Sequence, residues 1–354
     1  MSKKINDLLK LMVDRKASDL HVSAGSSIQL RIDEKLVPID DSILSPEESK
    51  ELSYSVLGED QIKKFERDLE LDMAFGVKGL GRFRTNIFQQ RGTICSAIRF
   101  IPYDIWTFEQ CGLPASVVID LCKRPKGLVL VTGATGSGKS TSLASMIDWI
   151  NSDRNCHIVT IEDPIEFIHA NKKAIVHQRE VYSDTHSFGR SLRHVLRQDP
   201  NVIFIGELRD LETIESALII AETGHLVFAT LHTSDCVQTL NRIIDVFPGH
   251  QQQQIRTQLS FVLIGVLSQQ LIPKYGDNGR ILAMEILLVN PAVRSLIRES
   301  KAHQIYSVMQ TSQKDGMKTM NQALYELYLR KLISYEDAFS RSTDPDDLTR
   351  LFKK

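Results

Sequence analysis

An octet from Gly133 to Ser140 has the residue types and the spacing that phosphate binding requires. It reads Gly-Ala-Thr-Gly-Ser-Gly-Lys-Ser. Its three glycines allow the backbone to turn so that N–H groups converge on phosphate oxygens. Lys139 is expected to reach the β- and γ-phosphates, and the Ser140 hydroxyl to ligate Mg²⁺. The octet therefore predicts a P-loop for ATP and Mg²⁺, with nucleotide contacts from Gly133, Ala134, Thr135, Gly136, Ser137, Gly138, Lys139, Ser140 and Thr141.

The segments on either side of the octet support this interpretation. An apolar run, Leu128–Thr132, precedes it, and a helical pattern, Thr141–Trp149, follows it. A P-loop requires a strand before it and a helix after it, because the helix N-terminus adds the positive end of its dipole to the phosphate site. A fortuitous glycine-rich turn is the alternative, and it does not account for these flanks.

Carboxylates follow two further apolar runs. Glu207 lies two residues after the run Val202–Ile205, where open α/β sheets place their ligands. It is the best candidate to hold Mg²⁺, directly or through a water, or to position water. Glu162, Asp163 and Glu166 follow another buried run, and one of them could deprotonate the attacking water. An ordinary acidic loop with a helix-starting proline is the alternative for this second group.

Two histidines, His225 and His232, bracket an apolar run at a separation of seven residues. A histidine at the end of a strand could contact the γ-phosphate and report its loss. Satisfied structural histidines are the alternative. Zinc binding is not predicted, because no cysteine or second histidine pair lies at ligand spacing.

Arginines of the first hundred residues could complete a phosphate site. Arg82 and Arg84 alternate with Phe83 and Thr85, so both guanidinium groups project from one face of a predicted strand, and Arg99 lies on the next strand. An arginine from another subunit or domain is worth about 10³–10⁵ in rate to many P-loop enzymes. Solvated surface arginines are the alternative.

The pattern of apolar residues predicts two domains and an α/β fold. Residues 1–101 indicate a small α+β unit, in which a capping box predicts a helix start at Ser45–Pro46 and Gly58 its end. Residues 102–114, with two prolines and a glycine, are predicted to be a linker. Short apolar runs alternate with helical patterns over residues 115–290, which is typical of a largely parallel sheet covered by helices. Residues 291–354 are predicted to be almost entirely helical.

Composition limits the classes of function. The chain has 354 residues and a formal net charge of −1, which gives no support for a nucleic-acid-binding surface. No apolar stretch approaches the roughly 20 residues of a membrane-spanning helix, and the N-terminus lacks a signal-peptide core. A cytoplasmic location is therefore expected. The five scattered cysteines are predicted to be reduced and structural.

These elements together resemble the secretion ATPase superfamily. The resemblance extends over essentially the whole chain and includes Thr160–Glu166, Gly206–Asp210, Thr223–Thr233 and, at the N-terminus, Ala17–Gly25. It implies a PAS-like N-terminal domain, a RecA-like ATPase domain and a helical C-terminal subdomain. It also implies a homohexameric ring. Among the site residues it makes Glu166 the catalytic carboxylate, Glu207 its partner and both histidines nucleotide sensors, and it places Arg82, Arg84 and Arg99 near phosphate.

Within this superfamily the chain resembles the retraction ATPases of type IV pili. Residues 292–299 read Ala-Val-Arg-Ser-Leu-Ile-Arg-Glu and differ from the retraction signature at Val293 and Ser295. The resemblance implies a motor at the inner-membrane base of a pilus, with a membrane platform protein and a paralogous retraction ATPase as partners. Two alternatives remain open: a pilus-extension or type II secretion motor, and a nucleotide-binding ring subunit that serves as scaffold.

Overall fold

The computed structural model describes residues 4–32, 35–101, 104–276 and 279–353 and divides into two compact units, Met1–Asp104 and Ile105–Lys354. Of the predicted linker 102–114, Pro102 and Tyr103 lie outside the described residues, while Phe108–Cys111 form a short helix. None of the helices in the described part of the chain has the length and apolarity that a membrane crossing requires.

The N-terminal unit is an antiparallel sheet with helices. Its described strands run in the order β3-β2-β1-β6-β5-β4, and every neighbouring pair is antiparallel. In chain order the elements are α1 (Ile5–Asp14), β1 (Asp19–Val22), β2 (Gln29–Ile32), β3 (Lys35–Pro38), α2 (Pro46–Tyr54), α3 (Glu59–Asp68), β4 (Glu70–Val77), β5 (Gly81–Gln90) and β6 (Thr93–Ile101).

Local sequence signals explain most of these elements. The Ser45 side chain accepts a hydrogen bond from the Glu48 amide at 3.1 Å, and the Glu48 carboxylate accepts one from the Ser45 amide at 2.8 Å, which confirms the predicted start of α2. The prediction for Gly58 was wrong, because α2 ends at Tyr54 and Gly58 caps the start of α3. Glycine is accepted at a helix start as well as at an end, so position alone did not decide between them.

The C-terminal unit is built on a second, mostly parallel sheet. Its described strands run in the order β13-β12-β7-β11-β10-β8-β9, and only the β12–β13 pair is antiparallel. The strands are β7 (Gly127–Thr132), β8 (His157–Glu162), β9 (Ile175–Glu180), β10 (Val202–Ile205), β11 (Leu226–Leu231), β12 (Leu263–Pro273) and β13 (Arg280–Leu288).

Helices cover both faces of this sheet and form the end of the chain. They are α4 (Phe108–Cys111), α5 (Ala115–Cys122), α6 (Lys139–Asp153), α7 (Phe188–Val195), α8 (Leu211–Glu222), α9 (Cys236–Asp245), α10 (Gly249–Val262), α11 (Pro291–Arg298), α12 (Ile305–Thr311), α13 (Met320–Leu329), α14 (Tyr335–Arg341) and α15 (Pro345–Phe352), with 3₁₀ turns at Leu196–Gln198, Ala302–Gln304 and Gln313–Asp315. The last five of these helices lie between Pro291 and Phe352, within the region predicted to be helical.

Burial explains why the central strands are continuous apolar runs. Every residue of β7, β10 and β11 is buried, because helices pack on both sides of the sheet. The parallel order also brings the carboxyl ends of β7, β8, β10 and β11 to one edge of the sheet. The loop after β7, the carboxylates after β8, Glu207 and His232 all follow these strand ends, whereas His225 precedes β11.

Candidate nucleotide-binding site

The loop after β7 has the backbone that its glycines predict. Gly136 and Gly138 adopt φ angles of 78° and 88°, a left-handed region that side chains disfavour. Gly133 has φ 140°, and a Cβ there would lie 2.5 Å from both the Gln269 carbonyl oxygen and the Ser137 hydroxyl. Gly133 therefore requires glycine, and Gly136 and Gly138 favour it. Helix α6 begins at Lys139, so its N-terminus points into the loop.

Lys139 lies folded against this loop. Its Nζ donates to the Gly133 carbonyl at 2.8 Å and to the Ala134 carbonyl at 3.0 Å. Only 8 % of the residue is exposed. Burial lowers the pKa of the ammonium group, and the nearby charges of Glu207 and Glu166 oppose that shift. The cation is therefore held close to two carboxylates at the mouth of the loop.

Glu207, His232 and Arg209 extend this charged group across the ends of the strands. His232 Nδ1 lies 3.5 Å from Lys139 Nζ, and its Nε2 lies 3.4 Å from Glu207 Oε1. Arg209 Nη2 pairs with Glu207 Oε2 at 2.8 Å, and this pairing raises the pKa of the guanidinium group further. One carboxylate thus contacts two side chains from different loops.

The segment after β8 supplies the other carboxylates. Glu162 is 6 % exposed, and burial raises its pKa to about 7 despite the hydrogen bonds it accepts. Glu166 is exposed, and Asp163 lies 4.0 Å from Arg209. The sequence left open which of the three carboxylates could act on water. Asp163 and Glu166 are both exposed in the wall of the cavity, whereas Glu162 is enclosed among protein groups.

One cavity of about 490 Å³ joins these groups. Gly133, Ala134 and Ser137 do not line it, although the first two bind Lys139 through their carbonyls. Its wall includes Thr135, Gly136, Gly138, Lys139, Ser140, Thr141, Glu162, Asp163, Glu166, Glu207, Arg209 and His232. The structure therefore brings most of the predicted phosphate-site residues of this unit together.

His225, predicted to be a nucleotide sensor like His232, does not line the cavity. It precedes β11, whereas His232 follows it, so the two histidines lie at opposite ends of one strand. The Nδ1 atom of His225 lies 3.1 Å from the Ile220 carbonyl and 3.2 Å from the Thr223 hydroxyl. A strand of six residues separates it from the cavity. Of these two histidines, His232 lines the cavity and His225 does not.

The predicted arginines lie on the sheet of the N-terminal unit. Arg84 and Arg99 are exposed and face each other across β5 and β6. Arg99 pairs with Asp19 at 2.8 Å. Arg82 lies two residues from Arg84, so both project from the face opposite the buried Phe83, as the alternation predicted. A function for these arginines at phosphate stays a prediction.

Sequence reasoning missed several residues that line the cavity. Trp106 comes from the segment taken as linker, and Leu271 and Arg280 come from β12 and β13, which were not predicted. His169 is also part of the wall, is 8 % exposed, and has its pKa lowered to about 4 by burial. A lone tryptophan beside proline-rich sequence carries no signal for a pocket, so only the tertiary structure revealed it.

The fold and the site define an α/β protein with a P-loop nucleotide site at the carboxyl edge of its parallel sheet. The family model described as "Type II/IV secretion system protein" matches residues 1–330, and the chain belongs to this family. The family contains ATPases, as the similar proteins below show, and this agrees with the phosphate-binding loop.

Similar proteins indicate which kind of ATPase the chain is. The chain is 46 % identical to the type IV pilus retraction ATPase PilT of Pseudomonas aeruginosa, over 97 % of this chain and 99 % of that protein. It is 45 % identical to a twitching motility protein of Neisseria gonorrhoeae, over 86 % and 82 %. The crystal structure of the pilus retraction motor PilT with bound ADP superposes with a TM-score of 0.93 at 51 % identity, covering 98 % and 99 % of the two chains. These findings confirm the predicted ATPase of the pilus-retraction type.

Proposed function

We propose that the chain is the ATP-hydrolysing subunit of a homohexameric motor that retracts a type IV pilus. The observation that carries the proposal is the convergence of Lys139, Glu166, Glu207 and His232 on one cavity beside a P-loop. A pocket that served only to bind nucleotide would need the loop and the lysine. The two carboxylates and the histidine supply groups that hydrolysis needs.

The proposed reaction begins with the P-loop. Its backbone N–H groups, the N-terminus of α6 and Lys139 bind the phosphates of ATP and offset their charge. Glu166 then accepts a proton from the attacking water, which makes that water a better nucleophile. The pairing of Glu207 with Arg209 and His232 keeps Glu207 oriented toward the same space.

The donor set in the cavity fits Mg²⁺. Ser140 and Glu207 both line it, and hydroxyl and carboxylate oxygens are the ligands that this ion prefers. Ser140 would hold the ion directly, and Glu207 directly or through a water. The ion supplies charge stabilisation for the phosphates when it is bound.

His232 is proposed to sense the γ-phosphate. It lies between Lys139 at 3.5 Å and Glu207 at 3.4 Å, so either partner can compete for it when phosphate charge enters or leaves the pocket. A change at His232 would pass directly into the backbone between β11 and α9.

The larger assembly is also part of the proposal. We infer that the N-terminal unit is a PAS-like domain, the P-loop unit is RecA-like, and Arg82, Arg84 and Arg99 act at a phosphate site of the ring. We further propose that the ring works at the cytoplasmic face of the inner membrane on a pilus platform protein. P. aeruginosa also has the type IV pilus ATPase PilU, 41 % identical over 98 % of this chain, which supports a paralogous ATPase as a partner.

Steady-state ATP turnover of the purified protein tests the proposal. Lys139→Ala and Glu207→Ala are each expected to lower kcat about 10²–10³-fold, because Lys139 stabilises the negative charge of the phosphates and Glu207 would hold Mg²⁺ or its bound water. Lys123→Ala, which removes an exposed lysine away from the cavity, is the matched control and should keep turnover near wild type. Wild-type turnover no higher than that of the Lys139→Ala variant would contradict hydrolysis at this site.

A further inference from the structure

The segment that carries Glu166 has no regular backbone structure. Residues 163–174, named here the acidic loop, join β8 to β9 without helix or strand. Parts of it are nevertheless buried: Ile165 is 3 % exposed and His169 is 8 % exposed. Buried backbone groups must find hydrogen-bond partners, and no ladder supplies them here. The Lys173 and Ala174 amides donate to the Asn151 carbonyl, and side chains supply partners for other groups of the loop.

Strand β9 supplies several of these partners. Gln178 donates from Nε2 to the Phe167 carbonyl at 2.8 Å and accepts at Oε1 from the His169 amide at 2.8 Å. The Glu180 carboxylate accepts from the Ile165 amide at 3.1 Å. Both side chains thus bind the backbone of the acidic loop on either side of Glu166.

Glu162 on β8 completes the arrangement. Its carboxylate interacts with the Glu166 backbone amide, which counters part of the pKa rise that burial causes. Its Oε1 atom also accepts from the Thr160 hydroxyl at 2.6 Å and from Gln178 Nε2 at 3.2 Å. Gln178 therefore connects the residue that holds the Glu166 amide with the residues that follow Glu166.

The register of the two strands places these side chains on one face. Thr160 pairs with Gln178, and Glu162 pairs with Glu180. A polar face is common on an edge strand such as β9, where water usually satisfies it. Here Glu162 and Glu180 are only 6 % and 4 % exposed, so protein groups and not bulk water bind them. The polar side chains of this face therefore form hydrogen bonds with the acidic loop.

We propose that Gln178, with Glu180, positions the acidic loop so that Glu166 faces the attacking water. The inference rests on the catalytic role of Glu166 in the proposed function. Without Gln178 the backbone at Phe167 and His169 loses its partners, and Glu166 spends less time in the reactive arrangement. Nucleotide binding depends on the loop after β7, which Gln178 does not contact, so the two steps separate.

Kinetics of two variants test this inference. Gln178→Leu removes every hydrogen bond at similar volume, and Gln178→Glu is nearly isosteric but cannot donate to the Phe167 carbonyl or to Glu162. Both are expected to lower kcat about 10- to 100-fold, as small misplacements of a reacting group do. The Kd for Mg·ATP should stay within about threefold, since the P-loop is untouched. His177→Gln, at an exposed neighbour on β9, is the matched control.

Three outcomes are informative. A fall in kcat with preserved Mg·ATP affinity supports positioning by Gln178. Wild-type kcat in both variants overturns it, and so does an equal loss of turnover and affinity, which indicates general damage.

The Glu166→Gln variant separates this inference from the function it rests on. An active Glu166→Gln enzyme refutes the catalytic role of Glu166. An inactive Glu166→Gln enzyme, together with fully active Gln178 variants, refutes only the positioning by Gln178.

Discussion

Two loops at the same edge of the parallel sheet are held in different ways. The loop after β7 binds through its own backbone, and glycines such as Gly133 make its shape attainable. The acidic loop after β8 is held by side chains of other residues, chiefly Gln178, Glu180 and Glu162. The residue types of its own eight positions largely determine the backbone shape of the first loop. The second loop depends on side chains of β9, a strand that pairs with β8.

The backbone-built loop should tolerate no added methyl group at its first position. Gly133→Ala is expected to destabilise the C-terminal unit by about 4 kcal/mol, the sum of backbone strain and overpacking against the Gln269 carbonyl. Urea unfolding followed by tryptophan fluorescence measures this unit, because Trp106 and Trp149 both belong to it.

Gly249→Ala is the control for that substitution. Gly249 begins α10, and a Cβ there would meet no atom within 4 Å. The free energy of unfolding of the Gly249→Ala variant should therefore differ from that of the wild-type protein by no more than about 1 kcal/mol. Equal unfolding curves for the two alanine variants would show that the close approach at Gly133 is not a constraint.

The acidic loop, which side chains hold in place, should instead make the free energy of unfolding depend on pH. Burial raises the pKa of Glu162 from 4.5 in the unfolded chain to about 7 in the fold. A raised pKa contributes stability that is complete below pH 4.5 and is lost as pH rises through about 7. The wild-type protein should therefore lose roughly 2–3 kcal/mol between those limits relative to Glu162→Gln, which cannot ionise.

Urea unfolding at several pH values measures that difference. Glu59→Gln removes an exposed carboxylate and controls for the change of one charge. If the Glu162→Gln and wild-type free energies of unfolding stay parallel across this range, burial does not govern the Glu162 carboxyl group, and its place among the loop contacts must be reconsidered.

The same contrast explains what the sequence could predict. The P-loop, Glu207 and the central strands follow from local patterns, because glycine spacing and continuous apolar runs reflect the backbone directly. Strand β9 was not predicted, since its last four residues, His177–Glu180, are all polar and match an exposed loop as well as a strand. The hairpin of β12 and β13 was also missed, because its first strand continues the apolar pattern of helix α10 without a break.

The histidines show a second limit of sequence reasoning. The separation of His225 and His232 correctly indicated that one strand lies between them. The two histidines therefore lie at opposite ends of that strand, and only one end borders the nucleotide site. Only the parallel pairing of β11 with β7 shows which end meets the P-loop. The missed lining residue Trp106 has the same cause, because it reaches the cavity from a distant part of the chain.

Pilus retraction in living cells tests the central claim most directly, that hydrolysis in this pocket powers retraction. A retraction-deficient strain with labelled pili would receive either the wild-type gene or the Lys139→Ala variant. We expect retraction events to return with the wild-type protein and to be absent with Lys139→Ala at equal expression. Equal retraction with both proteins, or pili that extend and never retract with the wild-type protein, would contradict the claim.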